Sequence, residues 1–299
     1  MLTKADLGRI IFGCGNFGGI GSAPSLRSAG DKAEQALALL DQARLVGLRR
    51  FDTANTYGGG VSEEVLGTWL QAQGLAFRQS VQIATKVGNP HGCPPGETPL
   101  SRAQIAHHLG VSLRRLGVER IDLYYLHELD RVTPLEEVIE AMTRAVEAGK
   151  IACFGVSNAA LSDVEAIRAL AGSGFAFVQN EYNLLATADA GALIPYCAGQ
   201  GLNYTAFSPL AGGMLTGKYN FSEKPPENSR LARAPEACAA YQTAEAHAAI
   251  ERLRQAAEAR GEPMARAALR FVLDTPGVES LIIAPRRIAH FASYGMTAR

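Results

Sequence analysis

Short apolar runs, each ended by a polar residue, recur along the chain. Leu48 to Phe51 leads into Asp52, with Arg49 and Arg50 interrupting it. Val81 to Thr85 leads into Lys86, Ile121 to Leu126 into His127, and Ile151 to Val156 into Ser157. Phe175 to Val178 leads into Gln179 and Leu202 to Phe207 into Ser208. All but the Val81 run follow closely on a glycine (Gly47, Gly117, Gly149, Gly174, Gly201), the residue that stops a helix by taking the left-handed conformation. Continuous apolar positions, rather than alternating ones, suit strands covered on both faces of a parallel sheet. The stretches between them have helical period and their own start signals. Thr133-Pro134-Leu135-Glu136 reads as a capping box opening a helix to about Ala148. Ser101-Arg102-Ala103-Gln104 opens one to about Leu116, and Ser162-Asp163-Val164-Glu165 a third. Strands are expected near 10–13, 48–52, 81–85, 121–126, 152–156, 176–180, 203–207 and 280–284. Eight strands alternating with helices over about 250 residues predict an α/β fold of the (β/α)8 TIM-barrel type. No linker or shift in composition divides residues 1–299, so a single domain is expected.

Composition narrows the partners. Lys and Arg together number 29, as do Asp and Glu, and a chain with no surplus of cations is poorly suited to neutralise nucleic-acid phosphates. No apolar run approaches the ~20 residues of a membrane span, and the first residues lack a secretory signal. These features predict a soluble, cytoplasmic protein. The five cysteines (Cys14, Cys93, Cys153, Cys197, Cys238) fall at no zinc-binding spacing and read as reduced thiols. His107-His108 sits in a helical pattern without matched carboxylates, so no metal site is expected. Gly13 to Gly18 spells GxGxxG, but the first helical pattern begins only near Asp31, whereas a dinucleotide fingerprint needs a helix directly there. Two segments break the rhythm, Gly88 to Leu100 and Ala211 to about Tyr241. Long loops in a compact domain are commonly lids or binding loops, and both follow strands.

In such a barrel the active site forms where the strands end. Asp52, Lys86 and His127 stand there, with Tyr57 on the turn after Asp52. Each alone has an ordinary structural explanation; an acid, a base, a phenol and an imidazole meeting at one mouth do not. A carbonyl needs a proton at oxygen while it receives a hydride at carbon. A phenol, with a pKa of ~10, must be tuned downward for that work. A buried ammonium favours phenolate, and needs a carboxylate to keep its own charge. Tyr57 as donor, Lys86 as tuner, Asp52 as counter-charge and His127 as orienter meet these demands. None of them is a hydride source, so a cofactor is implied. A strand-end lysine also suits Schiff-base aldolase chemistry.

The runs FDTANTYGGGVSEEVLG (51–67), ATK (84–86), DLYYLHELD (122–130), GVSN (155–158) and FSPLAGGMLTGKY (207–219) resemble the aldo-keto reductase family. The likeness is to the branch that includes potassium-channel β subunits. The resemblance implies NADP(H) as cofactor and a small-molecule carbonyl or alcohol as substrate. It also leaves open a non-catalytic, redox-sensing NADP(H)-binding subunit. By match, Ser157, Asn158 and Gln179 would hold the nicotinamide carboxamide and Phe207 would stack on its ring. Ser208, Leu210 and Gly212 would line the pyrophosphate, with Lys218 and Arg230 on the loop over it. Gly15, Asn16 and Phe17 would lie under the nicotinamide and substrate, and Arg286 would meet the adenosine 2′-phosphate, with Arg287 beside it. Departures from the family pattern gather at the C-terminal end. Ala284 replaces a glycine and His290 a glutamine. Ser293 and Tyr294 stand where an acid and an asparagine usually read adenine, and the chain stops without the customary C-terminal substrate loop.

Overall fold

The strand pattern closes on itself. In the computed structural model, which describes all residues except Pro95, 221–223, Asn228 and 298–299, eight parallel strands form a closed barrel in chain order. They are β1 (Ile10–Gly13), β2 (Arg50–Asp52), β3 (Gln82–Val87), β4 (Ile121–Leu126), β5 (Ile151–Ser157), β6 (Phe175–Glu181), β7 (Asn203–Phe207) and β8 (Val278–Ile283). Closure is made by β1 against β8, with Ile10 opposite Leu281 and Phe12 opposite Ile283. The expected TIM barrel is thus the observed architecture. Lys86, expected just past its strand, lies inside β3, opposite Tyr125 of β4.

Alternation along each strand separates two cores. Phe12, Phe51, Tyr124, Phe154, Tyr204 and Leu281 join the large layer packed between barrel and helices. Ala84, Leu123 and Tyr125 form a separate cluster with Cys153 and Phe177, and their register partners place it inside the barrel. Gly155 makes room there, since a Cβ at that position would stand 2.6 Å from Tyr125 Cε1. The mouth rests on this filled floor.

The helices around the barrel include α1 (Ala33–Leu45), α2 (Val61–Gln71), α3 (Arg102–Leu116), α4 (Leu135–Glu147), α5 (Leu161–Ala171), α6 (Leu193–Gly199), α7 (Ala244–Ala259), α8 (Met264–Leu273) and α9 (Ile288–Ser293). Gly117 closes α3 at φ 65 as expected. After α5 the positive φ falls on Gly172 (56°) rather than Gly174. The capping residues differ from the expected boxes. Ser101 accepts from the Gln104 N–H, but the Gln104 amide turns to Glu97 instead of reaching back. Thr133 lies one residue too early to cap α4, and its hydroxyl donates to Asp130 (2.7 Å). Asp163 caps α5 by accepting the Ala160 N–H (3.0 Å), so that helix begins before Ser162.

The described turns of the long segment after β7 pack together. Turns at Ala211–Thr216, Arg230–Arg233 and Pro235–Tyr241 share a second core. In it Met214, Leu215, Tyr219, Leu231 and Tyr241 pack with Ile250 of α7 and Met264 of α8. The Tyr241 hydroxyl donates to Glu181 at the end of β6, which fastens the segment to the barrel rim. Between β3 and α3, by contrast, a short turn at Pro90–Gly92 is the regular element among the described residues.

Helices α2 and α3 approach closely at Gly67, where an added Cβ would strike the Arg115 carbonyl and come within 2.9 Å of Leu116 Cα. These are backbone atoms that cannot step aside. Gly67→Ala is therefore expected to lower stability by about 2 kcal/mol despite the better helix propensity of alanine. Urea unfolding checks this, with Gly74→Ala, which meets nothing within 4 Å, as the control that stays near the parent.

Candidate active site

The Lys86 side chain is fully buried and points into the mouth from β3. Its ammonium donates to the Asp52 carboxylate, to the Thr53 carbonyl (2.8 Å) and to the Tyr57 hydroxyl (3.4 Å). Burial by itself would strip the charge from such a lysine, but Asp52 and the facing Tyr57 carry its pKa above the ordinary value. Asp52, the last residue of β2, is itself only 3% exposed. Its second oxygen accepts from the Gln179 amide of β6 (3.0 Å). One carboxylate thus joins opposite sides of the barrel.

Tyr57 opens a tight turn, Tyr57–Gly60, in which Gly58, Gly59 and Gly60 all take positive φ. That backbone brings the half-buried phenol over Lys86, whose nitrogen lies 5.0 Å from the ring centroid. Gly15 packs beneath the ring. The balance at the hydroxyl corrects the expectation of a lowered pKa. Burial pushes the phenol up and outweighs the downward pull of Lys86, so the net shift is upward. The His127 ring stands edge-on to Tyr57 at 5.5 Å. Burial and then the Lys86 charge push its imidazole down to about 3, so it is neutral at ordinary pH.

The remaining positions form two groups. Ser157 ends β5, and Asn158 follows at φ 55, its amide donating to the His127 carbonyl (2.9 Å) and the Ser157 hydroxyl (3.2 Å). With Gln179 and Phe207 they stand on neighbouring strand ends beside the tetrad. The second group gathers where β7 and β8 end. Ser208 and Ala211 take positive φ (50° and 47°), which turns the chain after Leu210 into Gly212 and Gly213. Arg230 lies alongside Gly212, and Lys218 alongside Gly213. Arg286, Arg287 and Lys218 all press on the imidazole of His290, which burial already lowers. Asn16 holds the Asp31 N–H on its carbonyl (2.7 Å). Phe17 is only 1% exposed and packs on Phe12 at 6.0 Å, which puts it among the core rings rather than at the open mouth. Ser293 donates to the His290 carbonyl and Tyr294 is buried, so both departures from the family pattern serve the end of α9. Among the described residues no group of His, Cys, Asp and Glu is placed to hold a metal.

A buried support went unseen in the sequence. Glu63 of α2 has no exposed surface. It accepts from the Thr85 hydroxyl (2.7 Å), next to Lys86, and from Arg115 of α3 (3.2 Å). Arg115 also donates to the Asn55 carbonyl (3.1 Å) and lies against Gly60. Ser62 ties Thr53 (2.7 Å) to the Cys14 carbonyl (2.9 Å). The strand carrying Lys86 and the turn carrying Tyr57 are thereby fixed to one another. The only available signal was the SEE tripeptide opening α2, and a first-turn acid ordinarily reads as a helix-dipole residue.

A barrel mouth with a carboxylate, lysine, phenol and imidazole in mutual contact can deliver a proton to a bound carbonyl. The comparisons agree with that chemistry. The model of the aldo/keto reductase family matches residues 9–294. The chain belongs to this family. Among its relatives, the L-glyceraldehyde 3-phosphate reductase of Escherichia coli (strain K12) is 32% identical over 264 residues, covering 85% of this chain and 76% of that protein. The aldo-keto reductase yakc of Schizosaccharomyces pombe, whose name carries NADP(+), is 32% identical over 224 residues, 73% of this chain and 64% of its own. A protein of the same yeast named as a putative voltage-gated potassium channel subunit beta is 34% identical over 272 residues, covering 85% and 76%. This aldo/keto reductase is an oxidoreductase of a family acting on small molecules, and no described helix is long and apolar enough to cross a membrane.

Removing Arg115 would strand the fully buried Glu63 charge. Arg115→Met is expected to cost about 3 kcal/mol, and adding Glu63→Gln to recover most of that loss. Thermal unfolding of the two variants checks the pairing.

Proposed function

We propose that this protein is an NADP(H)-dependent carbonyl reductase, converting an aldehyde or ketone to the alcohol or running the reverse, with Tyr57 as the proton donor. The observation that carries the reading is the hydrogen-bonded chain from Tyr57 through the Lys86 ammonium to Asp52, closed by Gln179. The cofactor residues fit a phosphorylated dinucleotide. The Arg230 Nε is buried and finds no partner among the described residues, and Lys218, Arg286 and Arg287 converge on one region. Such a cluster of donors suits phosphates. When bound, the reduced nicotinamide supplies the hydride.

In this reading Ser157, Asn158 and Gln179 hold the nicotinamide carboxamide. Gln179 spends its amide nitrogen on Asp52 and keeps its oxygen as an acceptor. Phe207 stacks on the ring, Gly15 and Asn16 lie below it, and Ser208, Leu210 and Gly212 line the pyrophosphate. Arg286 meets the 2′-phosphate. His127, neutral at working pH, orients the carbonyl oxygen without competing as an acid. The raised pKa of Tyr57 keeps the hydroxyl fully protonated before reaction. As the proton leaves, the new phenolate oxygen faces a full ammonium charge, so stabilisation is strongest when the phenol has lost its proton. All three N–H bonds of Lys86 are engaged. An ammonium so held lacks the free electron pair that imine formation needs, which disfavours the aldolase reading.

Replacing Tyr57 with Phe removes only the hydroxyl. The variant is expected to bind NADPH as the parent does and to lose about 10³-fold in turnover of a reactive aromatic aldehyde, the scale of general-acid catalysis. NADPH fluorescence titration and steady-state oxidation read the two effects separately. Retained turnover would remove Tyr57 from the mechanism. A parent that binds NADPH but turns over no carbonyl would favour the redox-sensing reading suggested by the similarity to the channel-subunit relative.

A further inference from the structure

Arg286 does not stand free. Its Nε donates to Oδ1 of Asp31 (3.0 Å) and its Nη2 to the Ala29 carbonyl (3.3 Å). Gln35 of α1 donates to the same Asp31 oxygen (3.2 Å) and to the Arg286 carbonyl (2.7 Å), while the Arg286 N–H meets His290 Nδ1 (3.2 Å). The guanidinium is thus gripped along one edge and keeps a third of its side chain exposed (32%). Asp31 is 3% exposed and joined to the first loop by a bridge to Phe17 and by its N–H on the Asn16 carbonyl. Its Oδ2 is buried and finds no partner among the described residues. A carboxylate so enclosed cannot swing away when another anion approaches.

We propose that Asp31 is a specificity-determining residue that sets how strongly the protein prefers a 2′-phosphorylated dinucleotide, by acting as a fixed counter-charge on Arg286. The inference rests on the reading that Arg286 meets the 2′-phosphate. A phosphate at the open edge of the guanidinium is attracted by Arg286 and repelled by the carboxylate behind it, and at short range neither is screened away. An uncharged 2′-hydroxyl feels neither strongly. Burial raises the Asp31 carboxyl above its ordinary value, and Arg286 offsets that only in part; the geometry of the grip on Arg286 carries the inference. NADPH is therefore favoured over NADH by less than a free arginine would provide.

Asp31→Asn keeps an oxygen for the Arg286 Nε and removes only the charge. Dissociation constants for NADPH and NADH, measured by fluorescence titration at low and high salt, test the idea. The expected result is NADPH binding about tenfold tighter, NADH binding within twofold of the parent, and a gain that shrinks at high salt. Asp31→Ser must move the ratio in the same direction, and it carries the test if the asparagine variant does not fold. Unchanged or weaker NADPH binding, or equal changes for both dinucleotides, would overturn the proposal. Arg286→Ala separates it from the reading beneath. If that variant weakens both dinucleotides alike, the phosphate assignment fails. If it weakens NADPH selectively while Asp31→Asn leaves NADPH unchanged, the assignment stands and the role of Asp31 falls.

Discussion

An ammonium ion shut away from water is the constraint around which the mouth of this barrel is arranged. A lysine at the end of a buried strand would shed its proton if left alone, because desolvation penalises the charged form. Lys86 keeps its charge because Asp52 and the Thr53 carbonyl meet it directly. Asp52 is in turn held by Gln179 from across the barrel. The third donor of the ammonium is what remains for Tyr57. Burial dominates the phenol and the lysine works against it, so under the proposed mechanism the site is arranged less to make an acidic tyrosine than to receive the charge that a departing proton leaves behind.

That arrangement needs positions good to a fraction of an ångström, and the strands alone do not supply them. Tyr57 sits on a turn of three glycines, a flexible stretch when unsupported. Its rigidity comes from outside, through Arg115 on the Asn55 carbonyl and Glu63 on Thr85. A second charged pair, Arg286 with Asp31, joins the segments that follow β8 and β1, next to the strands carrying Asp52 and Lys86. Each pair includes a buried acid whose partner reaches toward solvent. The turn carrying Tyr57 and the position of Arg286 are thus both held by buried carboxylates.

The barrel was legible in the sequence because doubly covered strands leave continuous apolar runs and each run ends in a polar residue. The tetrad was legible for the same reason, since Asp52, Lys86 and His127 all close such runs. Helix starts were read less well: Thr133 and Ser162 look like caps by spacing, yet α4 starts after Pro134 with no side-chain cap while Thr133 donates to Asp130, and Asp163 of α5 accepts the Ala160 N–H itself. Glu63, Arg115 and Asp31 were hidden because burial of a charge depends on a partner distant in sequence, and no local pattern announces it. Phe17, expected under the substrate by analogy of position, is buried, with the Phe12 ring on one side and the bridge to Asp31 on the other. The family likeness pointed to Arg286 but said nothing of the acid behind it.

The central claim is that the Lys86 charge bears directly on the Tyr57 hydroxyl. Carbon-13 labelling of the tyrosine rings, with Tyr57 assigned by its loss in the phenylalanine variant, allows that hydroxyl to be titrated by NMR in the parent and in Lys86→Met. The account predicts a parent Tyr57 protonated through pH 9, with a pKa above the ordinary 10.0, and a clearly higher value once the ammonium is gone. The same titration in both proteins, or a parent Tyr57 already ionised at pH 8, would contradict it.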